Sequence, residues 1–213
     1  MSDLFCFGLG YSASRIARRL AAEGWKVTGT ARTPPGAAAI AVEGYDAMVF
    51  DGLAPSAAMS EALARATHVL VSVPPGDDDP VLRHHGIDLR SAPSLRWIGY
   101  LSTVGVYGDR DGGWVDETGP TDATSLRGRQ RIAAEAAWLA LGASRQVPTH
   151  VFRLSGNLRP RPQRHRSVAR WHGAPHRQAG SGLQPHPRRR HRPSRLRRHG
   201  RPRPKRDLQS DRR

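Results

Sequence analysis

The stretch Leu4-Phe5-Cys6-Phe7-Gly8-Leu9-Gly10-Tyr11-Ser12-Ala13 reads as a short strand, a glycine turn and the opening of a helix. Four consecutive apolar residues suit a strand buried on both faces of a parallel sheet. Downstream, Ile16, Ala17, Leu20 and Ala21 recur at helical spacing, Ser12 or Ser14 is available as a cap, and Gly24 closes the helix. Gly8 to Ala13 also fits G-x-G-x-x-G/A. In that pattern the first glycine allows the tight turn, and the second lets the backbone approach a pyrophosphate. The small third residue packs helix on strand, and the helix N-terminus offers N–H donors to the anion. Gly8, Gly10, Tyr11, Ser12 and Ala13 are therefore candidate cofactor contacts, with a plain tight turn as the competing reading.

Outward from this segment, strands and helices alternate. Trp25 to Thr30, Met48 to Phe50, His68 to Val73, Trp97 to Ser102 and Val151 to Leu154 read as further strands. Ala57 to Ala66 reads as a helix. Arg129 to Leu141 reads as a longer one, with Ile132, Ala133, Ala136, Trp138, Leu139 and Ala140 apolar and Gly142 at its end. This alternation predicts an α/β fold, a Rossmann-type doubly wound parallel sheet over residues 1–156. Ligands of such sheets sit beyond the carboxyl ends of the strands, which directs attention to Gly8, Thr30, Ser72 and Ser102 onward.

Two of those strand ends bear on the cofactor. After the second strand the chain runs Thr28-Gly29-Thr30-Ala31-Arg32, with no Asp or Glu where a free ribose 2′-hydroxyl would meet one. Arg32 could instead pair with a 2′-phosphate, which favours NADP over NAD. The alternative is a solvated loop arginine. Asp51, after the third strand, is placed to accept from an adenine amino group, or is an ordinary turn residue. Ser72 ends the fourth strand and joins the candidate cofactor contacts.

Ser102-Thr103-Val104-Gly105-Val106-Tyr107-Gly108 follows the fifth strand, Asp116-Glu117 and Pro120 lie beyond it, and the long helix carries Ala133-Ala134-Glu135. With the glycine loop, these features resemble the extended or atypical short-chain dehydrogenase/reductase family, also called the NAD(P)-dependent epimerase/dehydratase family. The resemblance covers residues 4 to about 156. It implies an NAD(P)-dependent oxidoreductase or epimerase working on nucleotide sugars or other carbonyl and hydroxyl compounds. It also implies that Thr103 hydrogen-bonds the reacting oxygen. Where the family reads Tyr-Gly-x-Ser-Lys, this chain has Arg127-Gly128-Arg129-Gln130-Arg131. Arg127 thus stands at the position of the acid/base tyrosine and Arg131 at that of its lysine. Arginine does not release a proton near neutral pH, so Arg127 is a poor general acid/base. Arg131 keeps a fork of donors suited to ribose hydroxyls or phosphate. Their i,i+4 spacing predicts one shared helix face toward the cofactor, with two solvated arginines as the alternative. Tyr107 is a possible substitute acid. A non-catalytic dinucleotide-binding protein therefore stays open beside the enzyme.

Composition excludes other classes. A single cysteine, Cys6, leaves no disulfide scaffold or cysteine-based zinc site and fits a reducing cytosol, which predicts a cytoplasmic protein. No apolar run nears the roughly 20 residues that span a bilayer, and the N-terminus lacks the features of a signal peptide. His84 and His85 show no ligand spacing, so no metal is expected. Asp77-Asp78-Asp79 reads as a solvated loop, and Trp97 and Trp138 as packing residues.

The net charge of +16 is not spread over the 213 residues. Residues 1–156 hold 15 basic and 16 acidic side chains, and residues 157–213 hold 19 and 2. With eight prolines and only Leu158, Val168, Trp171, Leu183, Leu196 and Leu208 as large apolar residues, the tail is expected to be disordered. As an evolved segment it would neutralise phosphates non-specifically, since it lacks aromatics to stack bases. A second reading is out-of-register translation of a GC-rich message. Gly156 to Arg164 can be encoded GGC AAT CTA CGG CCC CGG CCG CAA CGC, and deleting one A yields Gly-Ile-Tyr-Gly-Pro-Gly-Arg-Asn. The same shift turns Gly182 to Pro193 into Val-Phe-Asn-Arg-Ile-His-Val-Asp-Asp-Ile-Ala. It turns Lys205 to Arg213 into Asn-Ala-Ile-Tyr-Asn-Leu-Thr-Asp. All three segments resemble the family's C-terminal part, which predicts a single-base insertion near codon 157.

Overall fold

A computed structural model describes residues 2–155. The expected disordered tail, its nucleic-acid binding and its out-of-register origin all fall on residues outside that range. The order of elements is β1 (Asp3–Phe7), α1 (Tyr11–Ala22), β2 (Lys26–Ala31), α2 (Pro34–Val42), β3 (Asp46–Val49), α3 (Ala57–Arg65), β4 (His68–Val71), α4 (Pro80–Ser91), β5 (Trp97–Thr103), a 3-10 turn (Val104–Tyr107), α5 (Leu126–Arg145) and β6 (Thr149–Leu154). The strands form one sheet in the order β3-β2-β1-β4-β5-β6, and every pairing is parallel. This is the α/β doubly wound arrangement expected from the alternation, and strand order reverses between β1 and β4.

The period of two along each strand sorts side chains onto two faces. Phe5, Phe7, Val69, Val71, Ile98 and Tyr100 meet α3, α4 and α5 through Met59, Leu63, Leu89, Ala134 and Trp138. Leu4, Cys6, Val27, Leu70 and Leu101 lie on the opposite face, where α1 packs through Ala13 and Ala17. Burial pushes the Cys6 thiol up to about 12, so it is an inert core residue.

Several details depart from the sequence reading. Neither Ser12 nor Ser14 caps α1: the cap is Gly10, with no side-chain bond, and the Ser14 hydroxyl donates to the Tyr11 carbonyl. Two helices were not anticipated: both open on proline, and α2 carries no apolar stripe, whereas α4 buries Val81, His85 and Leu89 at helical spacing. The Thr33 side chain caps α2 by accepting from Gly36 N, and Asp79 caps α4 by accepting from Val81 and Leu82 N. Asp79 is therefore buried rather than part of a solvated loop, and it also accepts from Trp138 Nε1 at 2.8 Å. Burial raises its pKa, against the opposing pull of those three N–H donors. The buried stripe of α5 is Gly128, Ala134, Glu135, Trp138, Leu141 and Gly142, whereas Ala133, Ala136, Leu139 and Ala140 face solvent. Nor does Gly142 end the helix: it lies inside it, where a Cβ would collide with Thr149 and the Val147 carbonyl.

Candidate functional site

The glycine loop crosses the point where strand order reverses. Gly8 adopts φ +80°, in the left-handed region that glycine tolerates, and a Cβ there would come within 3.1 Å of Val73 Cγ2. Its N–H donates to Thr30 Oγ1 at 2.8 Å, and Leu9 N donates to Thr30 O at 2.8 Å. These bonds pin the loop to β2. Gly10 has open space where a Cβ would sit, and as the cap residue of α1 it makes no side-chain hydrogen bond. That is the geometry of an anion seat: an accessible backbone and the positive end of a 12-residue helix. Ala13 is fully buried, as helix-on-strand contact requires.

Gly8, Gly10, Thr30, Arg32, Asp51 and Ser72 line one cleft of about 470 Å³, in the range of small-molecule sites. Arg32 is exposed at the end of β2, and no carboxylate lines the cleft at that strand end. The Asp51 carboxylate, which lines the cleft, accepts from Leu53 N at 2.9 Å and keeps lone pairs for a further donor. These residues fit a dinucleotide: glycines where backbone must approach it, an uncapped helix end for pyrophosphate and a cation at the ribose end.

Ser72 also borders a second, smaller pocket, with Ser12, Leu101, Ser102, Thr103 and Arg131. Thr103 Oγ1 accepts from Gly105 N at 3.2 Å, which leaves its hydroxyl proton available. Arg131 reaches from α5 to the carbonyl of Leu101 at 2.8 Å and to Tyr100 Oη at 3.3 Å. Burial pushes the Tyr100 phenol up to about 12, although the Arg131 charge opposes the shift. Arg127, one turn earlier, is exposed and does not line this pocket. Of the two arginines, the fold brings Arg131 to the strand ends.

Sequence reasoning missed a buried charged network beside this pocket. Glu135 accepts from Ser102 Oγ and from Arg153, whose Nη1 donates to Tyr107 Oη at 2.8 Å. The hydrogen bond to Glu135 raises the pKa of Arg153 above its ordinary value. Two signals were present in the sequence: an arginine inside the apolar strand Val151-Phe152-Arg153-Leu154 and a glutamate on the buried stripe of a helix. Tyr107 is buried and held by Arg153, so it is a structural partner in this network. Among the described residues there is no group of three or more His, Cys, Asp or Glu able to hold a metal ion. No helix among them is long and apolar enough to cross a membrane.

No protein-family model and no curated protein matches the sequence. Solved structures do match it. A functionally unknown conserved protein from Silicibacter pomeroyi is 42% identical, with a TM-score of 0.62 over 72% of this chain and 53% of that one. UDP-glucuronic acid 4-epimerase from Bacillus cereus, solved with NAD, is 17% identical, with a TM-score of 0.55 over 72% and 56%. A short-chain dehydrogenase/reductase superfamily protein from Agrobacterium tumefaciens, with bound NAD, is 20% identical, with a TM-score of 0.55 over 71% and 48%. The chain spans about half the length of the solved structures it matches.

Proposed function

We propose that this chain, whose fold is that of the short-chain dehydrogenase/reductase and NAD-dependent epimerase structures, binds a nicotinamide dinucleotide in the cleft above β1, β2 and β4. The observation that carries the reading is the uncapped N-terminus of α1 behind Gly8 and Gly10, at the point where strand order reverses. Arg32, with no acidic residue at the end of β2, favours NADP over NAD. Titration of the full chain with NADPH and NADH, followed by nicotinamide fluorescence, tests it. Saturable binding with NADPH tighter is expected, and binding of neither dinucleotide overturns the reading.

The nicotinamide, when bound, would supply a hydride donor or acceptor for a carbonyl or hydroxyl carbon, as in a nucleotide-sugar-like substrate. The chain's own part is positioning. Thr103 donates its free hydroxyl proton to the substrate oxygen, Arg131 holds ribose hydroxyls or phosphate near the end of β5, and Ser72 lines the passage between the two pockets. Arg127 and Arg131 at the expected tyrosine and lysine positions leave no ordinary proton donor there. A dinucleotide-binding protein without turnover is therefore the second reading. NADPH binding with no oxidation in the presence of any sugar nucleotide or aldehyde would favour it.

The domain boundary is proposed at residue 156, with residues 157–213 translated out of register after a single-base insertion near codon 157. Support comes from the charge step at that point and from the three family-like segments in one shifted frame. An uninterrupted frame giving these same residues in close relatives would sink this reading. If the basic segment is instead a nucleic-acid arm, the full chain will bind duplex DNA with an affinity that falls steeply with salt.

A further inference from the structure

His84 and His85 are neighbours on α4, and neither lines the cleft or the smaller pocket. Both nevertheless touch the segment that leaves β3. His84 Nε2 lies 3.1 Å from the carbonyl oxygen of Gly52. A carbonyl only accepts, so this ring nitrogen carries the proton and donates. His85 is fully buried, with its ring 5.7 Å from that of Phe50 and 5.8 Å from that of Phe7. Its Nδ1 donates to Asp88 at 2.7 Å, and the same carboxylate oxygen accepts from Ser60 Oγ at 2.8 Å. The ring behind Phe50 is thereby fixed in orientation.

Asp51 is the residue between those two contacts, and with Phe50 it lines the cleft. The chain turns just after it. Gly52 adopts φ +84°, and a Cβ there would come within 3.2 Å of Pro80, so the turn leans on the first residue of α4. The bond from Leu53 N to Asp51 sets the carboxylate within its own turn. The bond from His84 ties that turn to α4, which is itself held to α5 through Asp79 and Trp138. A carboxylate accepts and does not donate, so it favours a ligand edge that carries N–H over one that carries a carbonyl oxygen. Among purines it favours a 6-amino base over a 6-oxo base. Such a contact discriminates best when the acceptor is held in place before the ligand arrives. We propose that His84, through its bond to Gly52, is a positioning residue that presents the Asp51 carboxylate to the amino group of a purine, making the cleft selective for adenine over hypoxanthine. The proposal rests on dinucleotide binding in this cleft.

Two ligands test it on the full chain: NADPH, and its analogue with hypoxanthine in place of adenine, each titrated by nicotinamide fluorescence. The parent chain should bind NADPH about tenfold or more tightly than the analogue, the range of one hydrogen bond to a charged group. His84→Leu should reduce that ratio to about threefold or less, chiefly by weakening NADPH. The ratio compares two ligands on one variant, so a general loss of stability does not produce the change. His84→Gln, whose amide nitrogen reaches the place of Nε2, should restore the ratio. His84→Asn, one bond shorter, should not. A ratio unmoved by His84→Leu, or lost equally in His84→Gln, overturns the proposal. Equal binding of both dinucleotides by the parent chain also overturns it and leaves dinucleotide binding standing. Binding of neither overturns both readings together.

Discussion

Glu135 of α5 and Arg153 of β6 form an ion pair at 2.8 Å, with only 5% of the glutamate side chain and 22% of the arginine side chain exposed. The pair ties together five pieces of chain. Glu135 also accepts from Ser102 at the end of β5, and Arg153 donates to Tyr107 in the 3-10 turn and to the Glu117 carbonyl. Thr103 lies between Ser102 and that turn, so the network fixes the backbone that presents its hydroxyl.

Removing both partners together should cost less than the sum of removing each alone. Glu135→Ala leaves a largely buried guanidinium unpaired and should destabilise the fold by about 2–3 kcal/mol, below the range for fully buried pairs because Arg153 keeps some solvent. Glu135→Ala with Arg153→Met should cost less than the sum of the single changes by about 1 kcal/mol or more. Urea midpoints for the three variants check this, and strict additivity would show that the pair is not coupled.

Gly8 and Gly10 should separate folding from binding. Gly8→Ala places a Cβ in the left-handed region and against Val73, at a cost of about 1–2 kcal/mol. Gly10→Ala meets nothing and has an ordinary φ of −84°, so its cost is that of alanine at a helix cap, about 0.5–1 kcal/mol. Both should lose NADPH binding, since the methyl of the second fills the approach to the helix end. If Gly10→Ala binds NADPH as tightly as the parent chain, the anion seat is elsewhere.

What was legible in the sequence follows from how each feature is encoded. Strands β1, β4 and β5 were readable because burial on both faces writes apolar runs, and Gly8 is required by its own φ. Helix α2, with its alanines and paired prolines, carries no stripe, and only its position between β2 and β3 defines what it packs on. Asp79 looked like one of three equivalent loop acids. Its burial depends on Trp138, 59 residues away, which no local pattern records. Glu135 and Arg153 were hidden for the same reason: each looks misplaced alone and is satisfied only by the other.

Arg32 should decide between the two dinucleotides. It stands at the end of β2, where that strand itself carries no carboxylate; Asp51, which also lines the cleft, follows β3. A charge-assisted bond to a 2′-phosphate contributes about 1.5–3 kcal/mol, so Arg32→Ala should weaken NADPH about 10- to 100-fold. NADH, which has no phosphate to lose contact with, should shift about twofold at most. Equal losses for both would place Arg32 outside the ribose end and return it to the role of a solvated loop residue. Calorimetric titration of parent and variant with each dinucleotide gives the comparison.

His68 makes stability depend on acidity in a definite direction. Its ring packs on Trp25 at 4.6 Å, and burial, with help from the charge of Arg96, lowers its pKa from the ordinary 6.5. The unfolded chain therefore takes up a proton at higher pH than the folded one. By linkage, the stability tied to the neutral ring is fully present above 6.5 and drains away as pH falls toward the lowered folded value. Urea midpoints at descending pH should fall across that window, and His68→Gln should flatten the slope there. A slope unchanged by His68→Gln would assign the effect to another group.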